Sequence, residues 1–132
     1  MILLVIGCGI DLVKIERIEK IIMRWGDNFV FKIFTPLERE YCEKKKGNKF
    51  QSYAGKFAAK EALLKALGLG LRGANWKEIE VTNNQLGQPI ISTSGKLKNI
   101  ALAKGVNKYF ISISHTKEYA IAQVVLEGTV DK

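Results

Sequence analysis

Residues Phe50–Leu67, FQSYAGKFAAKEALLKAL, decide how the rest of this 132-residue chain is read. At about 100° per residue, Phe50, Tyr53, Ala54, Phe57 and Leu64 fall on one face of a helix, and Gly68 and Gly70 stop it. Glu61 falls on that same apolar face. A carboxylate there must be paired, protonated or bound to a cation, because an unpaired buried charge is costly. A surface pair with Lys65, four residues on, is the ordinary alternative. Lys56, Lys60 and Lys65 flank the face, placed either for solvent or as point charges for phosphates. Gly68-Leu69-Gly70 leaves backbone amides open to an anion. It follows a helix and lacks the Walker spacing, so it is no P-loop.

Upstream, Ile2–Ile10 is rich in Ile, Leu and Val and predicts a strand rather than a signal peptide. Lys14–Trp25 predicts a helix with Ile15, Ile18, Ile22 and Trp25 on one face, ended by Gly26 and Asp27. Thr35-Pro36-Leu37-Glu38 is a helix start with a capping box, running to about Glu43 and followed by a polar break over 44–48. Downstream, Trp76–Thr82 and Pro89–Thr93 read as strands joined by a turn at 83–87. A helix spans Gly95–Lys104. Tyr109–Ser114 and Tyr119–Leu126 form a hairpin around 115–118, and the tail after Glu127 is expected to be loose. Strands and helices mix without regular alternation, which predicts an α+β fold in one domain, 1–132.

The bulk numbers agree with a globular chain: 47% hydrophobic, 26% charged, net charge +8. A basic surface attracts an anion, whether nucleic acid, acidic protein, phosphorylated small molecule or lipid headgroup. No stretch is long enough to span a membrane. Cys8 and Cys42 have no metal or disulfide spacing, and a reducing cytoplasmic setting is expected.

Three further features bear on chemistry. Gly7, Gly9 and Asp11 alternate along the first strand and share one face. Glycines there mark close approach of a ligand or another backbone, with Asp11 either a functional carboxylate or a cap for the next helix. Lys14, Arg17, Lys20 and Arg24 form a basic stripe on the first helix, suited to an acidic partner. His115, the only histidine, follows Ser112 and Ser114 on the opposite strand face, which argues against a Ser–His pair.

In sequence order these residues resemble a known family. Gly7-Cys8-Gly9-Ile10-Asp11-Leu12-Val13 with Arg17-Ile18, Phe57-Ala58-Ala59-Lys60-Glu61-Ala62 and Ser112-Ile113-Ser114-His115-Thr116 are similar to the motifs of holo-[acyl-carrier-protein] synthases. The only noted departure is Cys8, where an aliphatic residue is more usual. The resemblance implies a 4′-phosphopantetheinyl transferase fold, with a long helix on a curved, mostly antiparallel sheet. It implies transfer of phosphopantetheine from coenzyme A to a serine of apo acyl carrier protein, dependence on Mg²⁺, and a homotrimer with active sites between subunits. By motif position, Asp11 and Glu61 would be catalytic metal ligands. Lys60, Lys65, Gly68, His115 and Thr116 would lie at coenzyme A. Lys14, Arg17 and Arg24 would dock the carrier. Two carboxylates plus substrate phosphates suit Mg²⁺, and phosphoryl-type transfer needs no protein nucleophile. A nucleic-acid-binding module would explain the charge equally well, but not Glu61 or the Gly7/Gly9/Asp11 face.

Overall fold

The computed structural model describes residues 1–70 and 75–131. In chain order its elements are β1 (Ile2–Lys14), α1 (Ile15–Trp25), α2 (Asp27–Ile33), α3 (Pro36–Glu43), α4 (Lys49–Ala66), β2 (Ile79–Asn83), β3 (Pro89–Thr93), α5 (Gly95–Ala103), β4 (Val106–His115) and β5 (Tyr119–Val130), with 3₁₀ turns at Lys46–Asn48 and Trp76–Glu78. The expected α+β class holds. One antiparallel sheet has the order β1-β5-β4, and β2 pairs with β3 in a second.

Helix α4 is the centre of the molecule. It is buried on nearly every side, because α4 lies between the larger sheet and the α3/β2 layer. Its small residues face β1: a Cβ on Gly7 would strike the Ala66 carbonyl, and one on Gly9 would strike that of Ala62 and sit 2.7 Å from the Ala66 nitrogen. The two glycines therefore serve the approach of another backbone. On β5, Ala120, Ala122, Val124 and Leu126 alternate into the same layer.

The capping box is present in full: Thr35 Oγ1 accepts from the Glu38 amide at 3.3 Å, and the Thr35 amide donates to Glu38 Oε1 at 2.8 Å. Boundaries differ in several places, among them the start of β4 at Val106 rather than Tyr109. Pairing with β5 carries β1 through Lys14, so α1 starts at Ile15. Gly26, at φ 54°, ends α1 but turns the chain straight into α2, which alternation did not signal. Trp76–Glu78 forms a 3₁₀ turn, with the Lys77 amide donating to the Asn75 side chain, and the strand begins only at Ile79. The tail is not loose: β5 continues to Val130, opposite Ile2.

Candidate active site

Asp11 and Glu61 meet where β1 crosses the second half of α4. Strand alternation that turns Gly7 and Gly9 toward α4 turns Asp11 there too. Lys65, one turn beyond Glu61, donates to Asp11 Oδ1 at 2.9 Å and to the Ile10 carbonyl at 3.1 Å. The Asp11 side chain is only 10% exposed, and its Oδ2 is buried with no hydrogen-bond partner among the described residues. Burial raises the Glu61 pKa above the ordinary carboxylate value. The Asp11 charge adds to that shift, while Lys65 and Arg17 oppose it.

Both ordinary alternatives for these carboxylates fail. The N-cap position of α1 is Lys14, and no side chain caps it, so Asp11 is not a helix cap. Lys65 pairs with Asp11 rather than with Glu61. Like charges drawn near one another disfavour the ionised form of both unless positive charge offsets them.

Lys60 corrects an expectation. It does not reach an open surface: its side chain is fully buried, ion-paired to Glu38 at 2.7 Å and bonded to three backbone carbonyls. Lys56, also expected at a flank, is buried and bonded to the Val81 carbonyl and Asn83 Oδ1. Both pKa values are lowered, chiefly by burial. Of the three lysines only Lys65 is available at the surface. Gly68 departs from expectation more mildly. Its amide and that of Leu69 are spent on the Lys65 and Leu64 carbonyls, closing the end of α4, so Gly68 offers an exposed, side-chain-free backbone at φ 73° instead of a free donor.

His115 and Thr116 sit elsewhere. His115 pairs with Ala120, which pairs with Val13, so two strand spacings, about 10 Å, separate it from β1. It is exposed and lines a hollow of about 330 Å³ with Tyr41, Lys45, Asn48, Lys56 and Asn83. Of these, sequence reading treated 44–48 only as a polar break, and nothing in their spacing marks a hollow. The Thr116 hydroxyl accepts from the Glu118 and Tyr119 amides and so shapes the β4–β5 turn.

The basic stripe is exposed along β1's end and α1: Lys14, Arg17, Lys20 and Arg24. It is less uniform than expected, because Glu16 pairs with Lys20 at 2.8 Å. Lys14, Glu16, Arg17, Lys20 and Ile21 line a shallow hollow of about 310 Å³. Arg17 is close enough to Glu61 to act on its charge, which puts the stripe beside the carboxylate pair.

Comparison with known proteins gives one answer. The family model of the 4′-phosphopantetheinyl transferase superfamily matches residues 7–124. A holo-[acyl-carrier-protein] synthase of Syntrophus aciditrophicus is 45% identical over 126 residues, covering 95% of this chain and 98% of the relative. The crystal structure of the Bacillus anthracis holo-(acyl-carrier-protein) synthase in complex with CoA (3′,5′-ADP) aligns at a TM-score of 0.78 and 39% identity, over 95% of this chain and 98% of that one. The Helicobacter pylori enzyme in complex with coenzyme A aligns at 0.79 and 34% identity, over 90% and 98%. With its sequence motifs, its α+β architecture and these relatives in accord, this chain belongs to the holo-[acyl-carrier-protein] synthase family of the 4′-phosphopantetheinyl transferase superfamily.

Proposed function

We propose that the protein transfers 4′-phosphopantetheine from coenzyme A to a serine of an apo acyl carrier protein. The serine oxygen attacks the phosphorus that bears pantetheine. The bond from that phosphorus to the adenosine half breaks, the serine proton leaves, and adenosine 3′,5′-bisphosphate departs. The observation that carries this reading is the carboxylate pair: Asp11 Oδ2 is buried and unpartnered, and Glu61 is near enough for the Asp11 charge to act on it. Two relatives described as bound to coenzyme A support the donor.

The pair fits Mg²⁺, which takes one or two protein carboxylates and fills its remaining positions with water and phosphate oxygens. No group of three or more potential metal-ligating side chains occurs among the described residues, so substrate oxygens would supply the rest. In this reading Asp11 and Glu61 hold the ion, whose bound charge would offset that of the pyrophosphate. Lys65 holds Asp11 in place and adds positive charge at the same point. Gly68 gives the substrate a backbone without a side chain to pass.

His115 and Thr116 lie too far across the sheet to share that point within one chain. An assembly of copies, a homotrimer in our reading, would bring His115 and Thr116 of a neighbouring copy to coenzyme A at Asp11. The uncovered apolar face of the larger sheet supports such an assembly. The stripe of Lys14, Arg17 and Arg24 would receive an acidic helix of the carrier, with rim charges acting mainly on association rate. No helix among the described residues is long and apolar enough to cross a membrane. Both cysteines are free, and a cytoplasmic setting is part of the proposal.

The test is mass spectrometry of an apo carrier protein incubated with coenzyme A, Mg²⁺ and the enzyme. The carrier gains one phosphopantetheine. Asp11→Asn and Glu61→Gln remove charge at constant size, so each should stay folded and lose transfer by about a hundredfold or more. An unmodified carrier with wild-type enzyme, or full activity of either variant, refutes the reading.

A further inference from the structure

The Lys60 ammonium is fully buried yet takes no part in the transfer described above. It donates to the carbonyls of Ile33 at 2.7 Å, Trp76 at 3.0 Å and Ile79 at 2.8 Å, and pairs with Glu38 Oε1 at 2.7 Å. Glu38 is itself fixed, accepting from the Thr35 amide at 2.8 Å and the Val81 amide at 2.6 Å. Stability alone is a weak reason for such a pair, because apolar residues of similar volume often do as well in a core.

Its geometry gives a better reason. The three carbonyls come from separate segments: the last residue of α2, the 3₁₀ turn before β2, and the first residue of β2. Ile33 ends the helical unit that begins with the basic stripe of α1. Lys60 is bonded directly to Glu61 along the chain. One ammonium therefore joins the docking element to the residue that precedes a metal carboxylate.

We infer that Lys60 is a positioning residue: it locks the α2 terminus and the Trp76–Ile79 segment against α4 and so sets the docking helix in place relative to Glu61. The inference rests on the function proposed above. A displacement of about 1 Å between reacting groups is enough to slow an enzyme severely without changing its fold.

The experiment compares wild type with Glu38→Gln and with the double variant Glu38→Gln/Lys60→Met. The double variant removes both charges together, so no lone carboxylate is left in the core. Thermal unfolding is measured first, and kinetics are taken well below each midpoint. For the double variant we expect kcat to fall about tenfold or more while the KM for coenzyme A stays within about twofold. Glu38→Gln keeps the three carbonyl bonds of Lys60 but leaves its ammonium without a counter-charge, so Tm should fall, while kcat taken below that midpoint should stay within about threefold of wild type. A folded double variant with wild-type kcat overturns the inference. So does a tenfold loss of kcat in Glu38→Gln, the decisive measurement if the double variant does not fold. Failure of the underlying reading looks different: wild-type enzyme then leaves the carrier unmodified.

Discussion

The two faces of the β1-β5-β4 sheet are built from alternate residues of the same strands, yet they differ in kind. The inner face is small and closed. Gly7, Gly9, Ala120 and Ala122 let α4 come to within backbone contact. The outer face is apolar and open. Ile10, Leu12, Phe110 and Ile121 are 54%, 60%, 43% and 36% exposed. Across the strands Cys8 faces Val125 and Phe110, while Leu12 faces Ile121 and Ser114. An open row of large apolar side chains marks a surface that is covered by something else. One side of the sheet is thus finished by the chain itself, and the other is left open, as the assembly proposed above requires. The carboxylate pair stands on the finished side, where a rigid helix holds it.

The sharpest way to break this comparison is to enlarge one side chain on each face. Gly9→Ala puts a Cβ into the Ala62 carbonyl, and the obstacle is backbone that cannot swing aside. A loss of about 2 kcal/mol or more is expected, with Tm lower by about 8 °C. Cys8→Val, on the outer face next door, should change stability by no more than about 0.5 kcal/mol. Calorimetry that finds the two variants equal would dissolve the distinction between the faces.

A second measurement tests the open side. Ile121→Asp places a charge at the middle of the outer face, where the side chain is already partly in water. The single chain should keep its fold. Light scattering should show wild type as three chains and the variant as one, because an unpaired charge is costly to bury at an interface. Transfer should fall with the assembly, since His115 and Thr116 would no longer arrive from a neighbour. A fully active monomer would show that one chain suffices.

Legibility in the sequence follows the same division. Periodicity found α4, and capping chemistry found the start of α3, because both depend on neighbours in sequence. The Gly7/Gly9/Asp11 alternation placed Asp11 correctly before any contact was known. Lys60 misled because its position on a helical wheel looks like a flank. The helix is buried on that side by α2, α3 and β2, which lie 16 to 27 residues away by the separations of its bonds. The hollow around His115 was invisible for the same reason, since its lining is drawn from α3, α4, β2, β3 and β4. α2 was missed because Gly26 turns the chain without interrupting helical structure for more than one residue.

The two cysteines offer the finest probe of the comparison, since each reports a different kind of cover. Cys42 is fully buried inside the chain, and burial pushes its thiol up to about 12. A thiolate is the reactive form, so Cys42 should resist alkylation at pH 8 for as long as the chain stays folded. The sign of the linkage follows: the folded state keeps this proton when the unfolded chain has lost it. Stability from this group is therefore full below the ordinary thiol pKa of 9.0 and declines as pH rises toward about 12. Cys8 is exposed on the outer face of the single chain. If a second copy covers that face, Cys8 should label slowly in wild type and quickly in Ile121→Asp, with Cys42 silent in both. Mass spectrometry after a timed exposure to iodoacetamide reads the two sites separately. Fast labelling of Cys8 in the wild-type assembly would mean that the partner covers the sheet away from the Cys8–Val125–Phe110 row, and that this row belongs to open solvent.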